Sequence, residues 1–192
     1  MKRVLLQCVF LLTALVTLAG CLPVLVAGAA GGAVMVATDR RSAGAQLDDE
    51  SIELKVLTQT TNEFGERIHV NVTSYNGIVL LTGEVPDQGA WASVGNIAKN
   101  TEKVRGVHNE IVVAPLSDFS SRSNDTYITS KVKTRMIEAN KFPPNAVKVV
   151  TERGVVYLMG IVSREEGDAA AEITATTAGV VRVVKFFQYQ AT

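Results

Sequence analysis

Two stretches of the chain carry the same alternation of apolar and polar positions. The segment 76–85, NGIVLLTGEV, recurs at 153–162 as RGVVYLMGIV, with glycines and valines in the same places. A short β-branched run precedes each copy, at 67–73 and 146–151, and a two-residue turn joins it to the strand. Period-two alternation around such a turn predicts a β-hairpin in each copy.

The segments around the two hairpins repeat as well. Each hairpin is preceded by a helical pattern and followed by a second helical pattern and a further β run. The predicted bounds are Asp49–Thr61, Ala90–Glu102 and Val107–Val113 in the first copy, and Asp125–Asn140, Arg164–Thr177 and Val180–Tyr189 in the second. The order helix, strand, strand, helix, strand predicts two tandem α/β sandwiches, each with a three-stranded mixed sheet covered by two helices.

Alternation along the second strand of each copy separates a core face from an outer face. The predicted core positions are Val79, Leu81, Gly83 and Val85, with Val156, Leu158, Gly160 and Val162 as their counterparts. Gly83 and Gly160 indicate either close approach of a helix or a strand bulge. The outer face of the second sheet is also apolar, at Val155, Tyr157, Met159 and Ile161. A sheet that is apolar on both faces needs a second cover, so we expect this face to contact the first domain or a partner.

The first 37 residues differ from this body. A basic start is followed by an apolar run and small residues, which is typical of a secretory signal peptide at residues 1–20. Leu18-Ala19-Gly20-Cys21 resembles a bacterial lipobox, which implies lipid attachment at Cys21; the alternative is one transmembrane helix that buries Cys21. Residues 21–47 are then a lipidated tether, of which 22–37 either stays free or packs. Because Leu22, not Asp, follows the cysteine, we expect anchoring at the outer membrane, facing the periplasm.

The remaining predicted divisions are a first domain at 48–115, a linker at 116–123 and a second domain at 124–192. The 192 residues contain 19 Lys plus Arg and 19 Asp plus Glu, and this neutral balance argues against nucleic-acid binding. Two cysteines and two histidines leave little for a metal centre. His69 and His108 lack a second ligand at metal-binding spacing, and both are predicted to be solvated strand residues. We therefore expect no enzyme activity, cofactor, metal or small-molecule substrate.

The duplicated G-x-V-x-L-x-G-x-V pattern behind a lipobox resembles the BON domain, and the whole chain is similar to the dual-BON-domain outer-membrane lipoproteins. The similarity extends through segments 37–42, 48–49 and 123–129. It implies a non-enzymatic protein that maintains the envelope and gathers at division sites. It also implies binding of anionic phospholipid through the first helix of the second domain, and an association with outer-membrane protein assembly. Tyr127 departs from the family's Trp, which implies a weaker interfacial anchor.

The two copies differ in charge at the helix that the resemblance singles out. In the first copy Asp48, Asp49, Glu50 and Glu53 stand against Lys55, a local charge of −3; in the second Lys131, Lys133, Arg135 and Lys141 stand against Glu138, a local charge of +3. We assign phospholipid binding to Tyr127, Lys131, Lys133, Thr134 and Arg135. An aromatic ring flanked by long cationic side chains suits a headgroup boundary. Two alternatives stay open: the cations form only a solvated face, or the protein is a protein-protein adaptor.

Overall fold

The computed structural model describes residues 39–190, all of which belong to one compact unit. The predicted signal peptide, Cys21 and the segment 22–37 lie outside the described residues. The elements are α1 (Ala43–Phe64), β1 (His69–Tyr75), β2 (Ile78–Val85), α2 (Gln88–Asn100), β3 (Gly106–Asn109), β4 (Val112–Val113), α3 (Phe119–Ala139), β5 (Val147–Glu152), β6 (Val155–Val162), α4 (Arg164–Ala175) and β7 (Arg182–Tyr189). Within residues 39–190, no helix is both long and apolar enough to cross a bilayer.

The two copies form the predicted α/β sandwiches. In each, a hairpin pairs two antiparallel strands, and the strand after the crossover helix pairs in parallel with the second hairpin strand. The turn residues Asn76 and Gly77 have φ of 51° and 75°, and Arg153 and Gly154 repeat this with 51° and 73°. Positive φ at both turn positions matches the right-handed twist of the flanking strands, so the turns fix the hairpin registers.

The last strand of the first domain differs from the prediction of one strand over Val107–Val113. It is divided into β3 and β4, which pair with different parts of β2. Between them the side chain of Ile111 is buried in the core of the first domain. The register is unchanged across the gap, which lies opposite Gly83 of β2, where φ is 115° and the backbone departs from strand geometry; the first sheet therefore has four strands.

The first helix of each domain begins about six residues before its predicted start. Ser42 caps α1 by accepting a hydrogen bond from the Ala45 N–H, and Asp118 caps α3 by accepting one from the Ser121 N–H. The first turns contain no buried residue and lie before the buried stripe, so hydrophobic periodicity carries no signal for them. Their start is set by the caps.

Each sandwich has its own core, formed by the predicted faces of the central strands. Val79, Leu81 and Val85 lie in the first core, with Val156, Leu158 and Val162 in the second. A Cβ at Gly83 would lie 2.0 Å from the carbonyl oxygen of His69, and one at Gly160 would lie 2.2 Å from that of Ala146. The close neighbour is the backbone leading into or along the paired strand. The prediction that these glycines allow a helix to approach the sheet closely is therefore wrong.

The outer faces of the two sheets pack on each other, which confirms that the second sheet's apolar outer face contacts the first domain. A third apolar cluster joins Tyr75 and Leu80 of the first domain to Tyr157 and Met159 of the second. Burial there raises the pKa of Tyr157 to about 12. His108 stacks on Phe186 with ring centroids 3.9 Å apart, and burial lowers its pKa. The prediction that His108 is a solvated strand residue is therefore wrong.

Candidate functional site

The helix α3 presents one face to its own core and the opposite face to solvent. Ile128, Val132 and Met136 are buried in the core of the second domain. At about 100° per residue, Tyr127 and Thr134 project within about 20° of each other on the outward side. Both are exposed, and Tyr127 is 62% accessible. The aromatic ring predicted to contact lipid is thus available at the surface.

Two of the predicted cations are held by the C-terminal end of α4, which packs beside α3, and by the turn that follows it. Lys131 donates through Nζ to the carbonyl oxygen of Ala178 and lies over the Tyr127 ring, 4.5 Å from its centroid. Arg135 donates through Nη1 to the Ile173 carbonyl oxygen at 3.0 Å and to Thr177 Oγ1 at 2.7 Å. A cation at the end of α4 compensates the negative end of its helix dipole. Both side chains are half-buried against their own domain and contribute to its packing.

The partners of Lys131 and Arg135 are carbonyl and hydroxyl oxygens, which carry no formal charge. Hydrogen bonds to such groups orient the two cations without neutralising them. The positive field predicted for this helix therefore persists next to the exposed Tyr127 ring.

Lys133 projects on the other side of the outward face and is exposed, as is Thr134. It lines a cleft of about 280 Å³ whose walls include Arg41, Ile137 and Lys148. Ile137 is 58% exposed, an apolar side chain beside the cations. Ile137 was not among the predicted site residues, although its absence from the buried i, i+4 stripe of α3 was the available signal. We call Tyr127, Lys133, Thr134 and Ile137 the outward face of α3.

The acidic first helix of the other domain is not a free acidic surface. Asp49 is buried; its carboxylate accepts hydrogen bonds from the backbone N–H groups of Asn76 and Gly77, from Ser74 Oγ and from Arg41 Nη1, at 2.6–2.8 Å. Burial alone would raise the pKa of Asp49, but these donors hold it below its ordinary value. Asp48 and Glu53 form ion pairs with Lys103 and Lys148.

The buried aspartate is duplicated. Asp125 of α3 accepts hydrogen bonds from the backbone N–H groups of Arg153 and Gly154, each at 2.8 Å. In each domain one aspartate therefore ties the first helix to the turn of the hairpin. In α3 this holds the second turn of the helix, two residues before Tyr127, in a fixed position.

His69 is a half-exposed residue of β1, in line with the prediction of a solvated strand residue, and it lies in a polar cluster between the domains. One ligand atom from each of His69, Glu84 and Glu152 lies within 4.8 Å of the others. Burial raises the pKa of Glu152, and the hydrogen bond from Asn71 offsets this only in part. Sequence spacing could not reveal this cluster, because it depends on the docking of the two sheets.

Comparison with known proteins adds the family. Residues 48–115 and 124–191 each match the family described as BON domain. The chain is 38% identical over 181 residues to the outer membrane lipoprotein DolP of Haemophilus influenzae, covering 93% of both chains. It is 37% identical over 153 residues to the 21 kDa hemolysin of Actinobacillus pleuropneumoniae, covering 79% of both. It is also 29% identical over 141 residues to the osmotically-inducible protein Y of Escherichia coli, covering 71% of this chain and 70% of that one.

The two tandem sandwiches, the two segments that match the BON domain and the similarity over 93% of the chain all indicate the same family. The chain belongs to the family of dual-BON-domain outer-membrane lipoproteins.

Proposed function

We propose that this protein is a lipid-anchored, periplasm-facing lipoprotein of the outer membrane that binds anionic phospholipid through α3 and so maintains the integrity of that membrane. In this proposal it acts as a binding protein and not as an enzyme. The observation that carries the proposal is the outward face of α3, where an exposed aromatic ring and an exposed isoleucine lie among cations whose partners are uncharged.

The physical chemistry of this face suits a membrane surface. The Tyr127 ring, the Ile137 side chain and the apolar stems of the lysines can enter the headgroup boundary, while the tyrosine hydroxyl and the ammonium groups stay in water. Each basic residue near an anionic surface contributes about 1 kcal/mol, so Lys131, Lys133 and Arg135 contribute on the order of 3 kcal/mol together. That is weak for a free protein in solution.

A lipid anchor changes this balance. With Cys21 acylated, as proposed from the lipobox, the domain is already confined near the bilayer, and binding by α3 becomes a local event at high effective concentration. About 3 kcal/mol then suffices to keep α3 on the surface for most of the time, since 1.4 kcal/mol corresponds to a factor of ten in population.

A protein-protein adaptor that supports outer-membrane protein assembly is the second candidate function. The observation that favours it is on α1, where Leu47 and Leu54 are each 67% exposed and Leu57 is 44% exposed. An exposed apolar stripe of this kind is typical of a surface that docks another protein.

Cosedimentation with vesicles separates the two functions. Because binding without the lipid anchor is weak, a fragment of residues 39–192 would be mixed at low salt with a large excess of phosphatidylcholine vesicles, with and without phosphatidylglycerol, as wild type and as Tyr127→Ala/Lys133→Glu. This double variant avoids Lys131 and Arg135, whose hydrogen bonds also stabilise the fold. The matched control is Leu54→Ala/Lys99→Glu, which makes an equivalent change of charge and apolar area on the first domain.

We expect binding that depends on phosphatidylglycerol, weakens with salt, and is lost in the α3 variant but retained in the control. Binding that is equal in all three proteins, or absent in all three, would contradict lipid recognition by α3. Far-UV circular dichroism confirms that each variant is folded.

A further inference from the structure

The two sheets bring three possible metal ligands together at one end of their interface. His69 of β1 lies directly opposite Glu84 of β2 in the antiparallel pairing, so both side chains project from the outer face of the first sheet. Glu152, the last residue of β5, comes from the second domain. One imidazole nitrogen and one oxygen of each carboxylate lie within 4.8 Å of one another.

Glu84 is the unusual member of this cluster. Its side chain is fully buried, and its Oε1 atom accepts no hydrogen bond. The other carboxylate oxygen accepts hydrogen bonds from the N–H and Oγ of Ser117, at 3.3 and 3.1 Å. The nearest cation to Oε1 is Arg153 Nη1, 3.5 Å away on a side chain that is half exposed. A buried carboxylate oxygen without a donor is costly, so Oε1 is poised for a positive ligand.

We propose that His69, Glu84 and Glu152 bind a divalent cation, for which Zn²⁺ has the best-matched chemistry. One imidazole and two carboxylates form a donor set that zinc accepts with a fourth position left for water. Calcium and magnesium prefer sites made of oxygen ligands alone, and the histidine counts against them.

Metal binding requires a small contraction of the cluster. At Zn–N and Zn–O distances near 2.1 Å, tetrahedral ligand atoms lie roughly 3.4 Å apart. Closing from at most 4.8 Å needs only side-chain rotation. Asn71 Nδ2 donates to Glu152 Oε2 at 2.9 Å, and it can stay there as an outer partner that orients the ligand.

Two arginines border the site, and their side chains must move away when the ion binds. Arg153 approaches Glu84, and Arg122 Nη1 lies 3.5 Å from His69 Nδ1. Both arginines are exposed and make these contacts at long range, so they can turn toward solvent when the ion enters. The bound ion then coordinates Glu84 directly, in place of the long ion pair between Glu84 and Arg153.

The site joins the two domains, because two ligands belong to the first and one to the second. Zinc would therefore stabilise the docked arrangement of the sheets, by an amount that rises with the logarithm of its concentration once this exceeds Kd. This role is independent of lipid binding by α3.

Isothermal titration of the purified full chain with zinc chloride, in detergent micelles, tests the proposal. We expect one equivalent of zinc to bind to this site and to raise the Tm. We expect Glu152→Gln and His69→Gln each to weaken binding by more than about 100-fold, since changes even to outer partners of a metal site cost 10- to 100-fold.

The matched control is Glu110→Gln, which alters the carboxylate that acts on the other histidine, His108. It should leave zinc affinity unchanged. Cobalt substitution supplies an independent readout, since its visible spectrum distinguishes nitrogen and oxygen ligands from thiolates, which Cys8 and Cys21 would supply only in a chain that keeps its leader and carries no lipid. Absence of zinc binding in the wild type, equal affinity in wild type and both cluster variants, or a thiolate-type cobalt spectrum would each overturn the site. Two substitutions at different positions guard against loss of fold in one of them.

Discussion

The duplicated buried aspartate offers a stability test with an internal control. Asp49 and Asp125 occupy the same place in the two domains and accept the same pair of backbone N–H groups. Only Asp49 also faces a guanidinium, that of Arg41, at 2.8 Å, with side chains that are 3% and 14% exposed. Substitution by asparagine removes the charge and keeps the shape.

The two substitutions should lower the free energy of unfolding by different amounts, because only Asp49 has an ion-pair partner. Asp125→Asn weakens hydrogen bonds to a charged acceptor, which are worth about 1.5–3 kcal/mol. Asp49→Asn additionally breaks a buried ion pair by removing one partner, a change that costs about 3–5 kcal/mol. Arg41 keeps Asp39 as a partner, which places Asp49→Asn toward the lower end of that range.

Urea unfolding followed by circular dichroism measures both free energies of unfolding, and the fluorescence of Trp91, the single tryptophan, assigns the transition of the first domain. The pKa of Asp49 is lowered in the folded state, so its contribution is complete above the ordinary value of 3.8 and is lost as pH falls through the folded pKa. The gap between wild type and Asp49→Asn should therefore close in strong acid. Equal costs for the two substitutions, or a gap that does not change with pH, would refute this reasoning.

Three further predictions concern packing. Gly160→Ala should lower the free energy of unfolding by about 3 kcal/mol in urea titrations, because its Cβ would meet the Ala146 carbonyl oxygen at 2.2 Å. Met159→Lys should separate the domains, since it places a charge in the buried cluster between the sheets; small-angle scattering would show a larger radius of gyration. Arg135→Ala should cost about 1–2 kcal/mol in thermal unfolding, because the end of α4 loses its donor to the Ile173 carbonyl.

Local signals in the sequence were sufficient for the hairpins and the cores. Asn76-Gly77 specifies its turn by backbone preference alone, and strict alternation along β2 and β6 places the core face correctly. The break between β3 and β4 was not predictable, because Ile111 fits the alternation of an unbroken strand. The gap lies opposite Gly83, and the positive φ of 115° at that residue cannot be inferred from the alternation of apolar and polar positions.

The candidate site was also predictable in part. Helical periodicity identifies Tyr127 and Thr134 as outward residues, and the sequence alone shows the surplus of cations. It does not show that Lys131 and Arg135 reach acceptors about forty residues away at the end of α4. The cluster at His69 forms only because the two domains pack on each other. The apolar outer face of β6 predicts that such a contact exists, but it does not predict which residues of the two sheets meet.

The most direct test of the central claim is nuclear magnetic resonance of residues 39–192 with vesicles that contain spin-labelled phosphatidylglycerol. Paramagnetic broadening falls steeply with distance and so maps the surface that touches the lipid. The account predicts broadening at the amides of Tyr127, Lys133, Thr134 and Ile137, with α1 unaffected. Broadening centred on Leu47 and Leu54 of α1, or none on either helix, would contradict it.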